Sequence, residues 1–322
     1  MTFLATTRVE LDAATADRAT TAVVMTMGAL HEGHAELMRE ARRRLPAHGR
    51  VIVTDFVNPT QFGAGEDFDR YPRTLDADIA ICERNGVDIV FAPAVAEVYG
   101  GAELGITIEP GPRGSILEGA SRPGHFAGVL TVVAKLLHMT RPDLALFGEK
   151  DYQQLVLIRD MVRALDFRVE VIGVPTVREP DGLAMSSRNR YLSDAARAQA
   201  GAIPRALAAG QQAAGLGAAS VLAAAREVLE SGGMQIDYVA VTDHELGQAP
   251  IRGDGRLVVA VYLDGTRLID NAPVELGGGA LAPSSRPPPG GPRAVTWSSW
   301  ARESPDSPQR SMRGVPAGRS CS

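Results

Sequence analysis

Residues 22 to 45 read AVVMTMGALHEGHAELMREARRRL. The apolar run from Ala22 to Met27 has the length and composition of a buried strand. Leu37, Met38, Ala41 and Leu45 then recur at helical spacing, so a helix is expected over His34 to Leu45. Between them, Met27 to His34 form a turn containing Gly28 and Gly33. A buried strand that turns straight into a helix is the repeating unit of an α/β fold. Working outward, the same unit recurs. Strands are expected at Val51 to Val57, Val87 to Phe91, Leu144 to Phe147 and Val169 to Val174. Helices are expected at Leu75 to Arg84, Phe126 to Met139 and Tyr152 to Leu165. The alternation predicts a parallel sheet covered by helices on both faces, with ligands beyond the carboxyl ends of its strands.

After Pro175 the pattern changes. A loop is expected over Glu179 to Asn189, then Ala-rich helices over Asp194 to Ala214 and Ala218 to Ser231. Strands follow at Ile236 to Thr242, Arg256 to Tyr262 and Arg267 to Ile269. The expected division is residues 1–175, a smaller α+β domain over 176–276, and a tail over 277–322. That tail holds 8 Pro, 7 Gly and 9 Ser among 46 residues. Its composition cannot offset the entropy of ordering, so it is expected to be disordered. It carries +4 of charge, leaving −9 on the first 276 residues and −5 on the whole chain. No basic face is expected, which argues against nucleic acid. No apolar run reaches membrane-spanning length, and the N-terminus has no secretory pattern. Cys82 lies in an apolar-periodic run and Cys321 next to the end, so no disulfide is expected, in keeping with a reducing cytoplasm.

Four segments carry candidate chemistry. The turn from Met27 to His34 offers free helix N-terminal N–H groups for phosphate, and His31 and His34 fall on one face of a helical turn. The same pair could cap the helix without catalysis, or ligate a metal, although no third ligand is near in sequence. Phe56-Val57-Asn58-Pro59-Thr60-Gln61-Phe62 ends the second expected strand. Its amides Asn58 and Gln61 suit a hydroxyl or a carboxylate, or serve only the turn. Phe147-Gly148-Glu149-Lys150-Asp151-Tyr152-Gln153-Gln154 joins a strand to a helix. Lys150 there is either a phosphate-facing charge or an exposed one, with Asp151 as N-cap and Gln154 facing the cleft. Met185-Ser186-Ser187-Arg188 brings two hydroxyls and a guanidinium, which suit a triphosphate or an ordinary solvent loop.

Taken together, MGALHEGH, FVNPTQFG, GEKDYQQL, VPTVREPDGLAMSSRNRYLS and TRLIDN resemble the pantothenate synthetases over roughly residues 20 to 275. The HEGH and MSSR segments also resemble the two signatures of the wider nucleotidylyl-transferase superfamily. The resemblance implies a Rossmann-like doubly wound parallel sheet, a smaller α+β C-terminal lid domain and a cytoplasmic homodimer. It implies that pantoate is activated by ATP as pantoyl adenylate, with Mg²⁺ carried on the nucleotide, and then joined to β-alanine. It assigns ATP to Met27, Gly28, Ala29, Leu30, His31, Glu32, Gly33 and His34, to Gly148, Glu149, Lys150 and Asp151, to Val177, and to Met185, Ser186, Ser187 and Arg188. His34, His31, Lys150 and Arg188 are its catalytic set, with His34 as proton donor. It gives pantoate to Gln61 and Gln154, with Gln61 also near β-alanine, and the Asn58 amide of the same turn is a further substrate-binding candidate. A nucleotide-forming adenylyltransferase would share the HEGH turn but leave the paired amides unexplained. An inactive scaffold protein would leave His34, Lys150 and Arg188 unexplained. Three departures stand out: Met25 where the family has Pro, Asp55 where it has an apolar residue, and the stretch after about Leu276, which has no counterpart.

Overall fold

The computed structural model describes residues 1–63, 65–66, 68–101 and 104–277. Almost all of the expected tail, residues 278–322, therefore lies outside the described residues, and so does Cys321. Two sheets organise what is described. The first runs β1 (Phe3–Ala5), α1 (Arg8–Ala14), β2 (Thr21–Thr26), α2 (Glu32–Arg44), β3 (Arg50–Asp55), α3 (Leu75–Arg84) and β4 (Ile89–Phe91). It continues through α4 (Val95–Tyr99), α5 (Glu118–Ser121), α6 (His125–Thr140), β5 (Leu144–Gly148), α7 (Tyr152–Ala164) and β6 (Glu170–Val174). All its strand pairs are parallel, in the order β1-β4-β3-β2-β5-β6.

The alternation along β2 explains the two covered faces. Val23 packs into one core with α6 and α7, whereas Ala22 and Val24 pack into another with α2 and α3. The chain winds outward from β2 to β3 and β4 on one side, and to β5 and β6 on the other. The switch point thus lies between β2 and β5, where a ligand crevice is expected. The segments leaving these two strands are Met27–His34 and Glu149–Gln154.

The sequence shows no clear strand or helix period in the first twenty residues. In the structure β1 adds a strand beside β4, and Thr7 and Glu10 form a capping box that starts α1.

The second sheet is antiparallel, β7 (Gln235–Thr242), β8 (Gly253–Leu263) and β9 (Thr266–Leu276), in that order. It packs on α8 (Asp194–Ala200), α9 (Ala202–Ala213) and α10 (Ala218–Ser231) around Ile203, Leu229 and Leu257. The single helix expected over Asp194 to Ala214 is two. Gly201 interrupts it, and Pro204 falls in the first turn of α9, where its missing N–H costs nothing. The strand expected at Arg267 to Ile269 runs on to Leu276. It passes through Pro273, which an edge strand tolerates.

Candidate active site

At the exit of β2 the chain turns through two left-handed residues, Gly28 (φ 78°) and Ala29 (φ 52°). Glycine is required at position 28, because a Cβ there would lie 2.6 Å from an oxygen of Asp55. Asp78, a buried residue of α3, holds the turn. Its carboxylate accepts from the N–H groups of Ala29 (3.0 Å) and Leu30 (2.8 Å) and from the Thr74 hydroxyl (2.9 Å). Asp78 carried no sequence signal, since an acid in a first helical turn ordinarily reads as a partner of the helix dipole.

His31 and His34 do cap the helix. His31 Nδ1 accepts from the Gly33 N–H (3.1 Å), and His34 Nδ1 accepts from the His31 N–H (3.2 Å). A nitrogen that accepts carries no proton, so both neutral rings hold theirs on Nε2. Burial lowers the pKa of His31 to about 4, helped by the charges of Lys150 and Arg190. Burial, then His31 and Lys150, lowers that of His34 to about 3. Two adjacent, neutral Nε2–H donors result, with ring centroids 4.1 Å apart and the rings tilted by 41°. Glu32 is exposed and pairs with Arg39 along the helix surface. A Cβ on Gly33 would meet the His31 ring and come within 3.8 Å of Met185 Cβ, so the Met185 loop packs over this turn.

The exit of β5 is a 3-10 turn, Glu149–Asp151, that feeds α7. Lys150 Nζ stands 3.6 Å from the Asp151 carboxylate. Asp151 occupies the N-cap position but makes no capping bond, contrary to the sequence expectation. The Glu149 carboxylate faces Arg256 of β8 at 3.6 Å. The two glutamines that follow divide their tasks. Both line a cavity, but Gln153 is buried and spends its amide on Glu118, Arg113 and Ile116 backbone groups, whereas Gln154 makes no such bonds among the described residues.

At the exit of β3, Asn58 is buried and its amide is turned inward. It donates to Gln61 Oε1 (3.1 Å) and to the Gly128 carbonyl (3.3 Å), and accepts from Thr60 and from Tyr99 (2.6 Å). Gln61 Nε2 reaches Met27 Sδ at 2.9 Å, tying the β3 turn to the β2 turn. The Gln61 carbonyl accepts from His125 Nδ1 at 2.8 Å. The other nitrogen of that ring meets Arg122 at 3.0 Å, and Arg122 pairs in turn with Glu66 at 2.6 Å. Burial first, then Arg122, lowers the His125 pKa to about 4. Arg122 and His125 are functional candidates that sequence reasoning passed over. Their signal was the polar Arg122 to His125 stretch just before an apolar helix.

In the loop after β6, the Met185 N–H donates to the Val177 carbonyl (3.0 Å), and Arg178 pairs across the loop with Ala184. Ser186 Oγ accepts from the Arg188 N–H at 3.3 Å, and Ser187 Oγ lies 3.5 Å from the Tyr71 hydroxyl.

A cavity of about 830 Å³ opens between the two sheets. Lys150, Asp151, Gln154, Ser186 and Arg188 line it, together with Arg122, His125, Glu118 and Arg267. Its wall does not include Met27 to His34, Asn58, Gln61, Gly148, Glu149, Val177, Met185 or Ser187. Lys150 joins the two groups, being part of the cavity wall and also a charge felt by both imidazoles.

A family model for pantoate–β-alanine ligase matches residues 2–273. This chain belongs to the pantoate–β-alanine ligase family. A pantothenate synthetase of Salinispora arenicola is 57% identical over 281 residues, covering 86% of this chain and 99% of that protein. One from Saccharopolyspora erythraea is 59% identical over 256 residues, 79% of this chain and 84% of that one. Among solved structures, the pantothenate synthetase of Thermus thermophilus superposes with a TM-score of 0.79 at 46% identity, over 84% of this chain and 98% of that one. A pantoate–β-alanine ligase from Francisella tularensis, complexed with β-γ ATP and β-alanine, gives 0.72 at 34% identity, over 84% and 97%. These ligases share the two-sheet fold, so the cavity between the sheets is the place to seek their chemistry. No helix among the described residues is long and apolar enough to cross a membrane.

Proposed function

We propose that the ATP-dependent joining of pantoate to β-alanine, the reaction of this family, runs here through pantoyl adenylate. The pantoate carboxylate attacks the α-phosphorus of ATP, the bond to the β-phosphate oxygen breaks, and pyrophosphate leaves. The free amine of β-alanine then attacks the acyl carbon, loses a proton and expels AMP. The observation that carries this reading is Lys150, a cation on the cavity wall that also faces two neutral imidazoles. The first step brings an anion to a polyanion, so preorganised positive charge matters more than proton transfer. Lys150 and Arg188 supply full charges and the N-terminus of α2 a partial one. His31 and His34 serve as neutral Nε2–H donors, since neither holds a second proton near neutral pH.

Gln61 and Gln154 read pantoate, and Gln61 also adjoins the β-alanine site. Asn58 acts behind Gln61 by fixing its amide. In the second step the acyl phosphate is already activated, so no serine or cysteine nucleophile is needed; Cys82 is buried, with its thiol pushed up to about 12 by burial. Among the described residues no cluster of three or more His, Cys, Asp or Glu side chains is placed to hold a metal. Mg²⁺ therefore enters this reading only as an ion carried in on the nucleotide, balancing phosphate charge. The homodimer, the cytoplasmic location and the 1–175, 176–276 and 277–322 division belong to the same reading, supported by the family resemblance.

With ATP, pantoate and β-alanine supplied, AMP, pyrophosphate and pantothenate form in equal amounts; ADP and phosphate would refute the adenylate route. In single-turnover pyrophosphate release, Lys150→Ala lowers the saturated rate by about 10²–10³ and leaves pantoate affinity nearly unchanged. Gln61→Ala does the opposite, weakening pantoate binding first. Loss of pantoate affinity in Lys150→Ala at undiminished rate would make Lys150 a substrate anchor instead.

A further inference from the structure

Asn271 of β9 is buried, and every polar atom of its amide is committed. Nδ2 donates to the carbonyls of Glu149 (2.8 Å) and Lys150 (2.9 Å). Oδ1 accepts from Arg256 at 2.7 Å. The chemistry fixes which end of the amide is which, because a guanidinium can only donate and a carbonyl can only accept. Arg256 is buried too, and is stacked 3.9 Å over the Tyr152 ring at the start of α7. The neighbouring residue, Asp270, is 3% exposed and binds Arg178 through both oxygens, at 2.7 and 3.1 Å. Two consecutive residues of one edge strand thus grip two cavity segments. Asn271 holds the turn that carries Lys150, and Asp270 holds the root of the loop that carries Met185 to Arg188.

We propose that Asn271 is a positioning residue for Lys150, fixing the turn so that the ammonium group meets the phosphates during adenylation. The inference rests on the phosphate role assigned to Lys150 above. The Glu149–Asp151 turn is a single 3-10 turn following a strand end, and its carbonyls at 149 and 150 both accept from Asn271 of β9. Without the Asn271 amide, both half-buried carbonyls lose these partners, and the turn is free to re-aim Lys150. A misplacement of about 1 Å costs roughly 10²-fold in rate.

The test uses Asn271→Asp in the full chain. The change keeps the shape and the acceptor for Arg256 but removes both donors. Adenylation, read as single-turnover pyrophosphate release at saturating ATP and pantoate, falls about 10- to 100-fold. Pantothenate formation from supplied pantoyl adenylate and β-alanine stays within about twofold, a split that a general loss of structure would not produce. In a Lys150→Ala background Asn271→Asp causes little further loss, because both changes remove the same interaction. Asn271→Ser, which keeps one donor on a shorter arm, gives an intermediate loss and replaces the Asp variant if that fails to fold. Equal loss in both half-reactions, or a full further loss on top of Lys150→Ala, would overturn the proposal while leaving the Lys150 reading intact. Lys150→Ala with undiminished adenylation would overturn that reading and this inference with it.

Discussion

Asp55 ends β3 with its carboxylate half-buried, and among the described residues it has no hydrogen-bond or ion-pair partner. Burial, with a smaller contribution from the nearby charge of Asp78, raises its pKa to about 6. The folded state therefore binds this proton more tightly than the unfolded chain does. Stability from the group is present below the ordinary carboxylate range and is lost as pH rises through about 6. Asp55→Asn keeps the shape without the charge. It should raise unfolding free energy by roughly 1–3 kcal/mol at pH 7.5 and change it little at pH 4. Urea melts at the two pH values check this; an equal gain at both would show that charge is not the cause. The sequence flagged Asp55 because a carboxylate in an apolar strand is conspicuous. It flagged Lys150, His31 and His34 because they sit in glycine-containing turns between a strand and a helix, and Arg188 because it follows two hydroxyls in a loop. Asp78 was illegible, since its role depends on a turn 48 residues earlier in the chain. Asn271 sat inside a quoted motif, yet nothing local said that its amide reaches back 121 residues to Lys150.

Between elements, one glycine governs how α6 meets the β3 exit. Gly128 is buried, and a Cβ there would run into the carbonyl of Thr60. The helix therefore lies directly on the Pro59–Gln61 turn, and the Gly128 carbonyl takes a hydrogen bond from Asn58. Gly128→Ala must push the turn away or tilt the helix. It should destabilise by about 1–3 kcal/mol, the usual range for overpacking. Pantoate affinity should fall as well, because the displaced turn carries Gln61. A variant with normal pantoate affinity but a lowered melting temperature would mean that the turn yields without moving Gln61. Helix and strand positions in the first sheet were legible because each element has one apolar period and clear punctuation. The Asn85-Gly86 stop after α3 is an example. The errors fall where tertiary partners override local pattern. The strand β1 is three residues long and exists only beside β4, and β9 continues through Asp270, Asn271 and Pro273 because its partners in other segments accept those polar groups.

Across the whole molecule, four titrations at buried or half-buried groups oppose one another in acid. His31 and His125 have pKa values near 4 and His34 near 3, all lowered chiefly by burial. For each, stability is present above the ordinary histidine value and is lost as pH falls toward the folded value. Asp55 works in the other direction over the interval up to about 6. At pH 5 the unfolded chain has protonated all three imidazoles, while the folded chain has protonated essentially none of them and holds the Asp55 proton. Unfolding at pH 5 should then take up about two protons from these groups. Stability should be level near pH 8, fall below pH 6.5, and fall at roughly 2.7 kcal/mol per pH unit near pH 5, since one proton corresponds to about 1.4. That slope would exhaust a typical stability of about 5–15 kcal/mol within a few units. Asp55→Asn removes the opposing titration, so the uptake should rise to about three protons even though the variant is more stable at pH 7.5. Calorimetry at pH 5 in two buffers of different ionisation enthalpy counts the protons directly. Uptake near zero would mean that the imidazoles titrate normally in the folded state, and the neutral Nε2–H donors assigned to His31 and His34 would have to be abandoned.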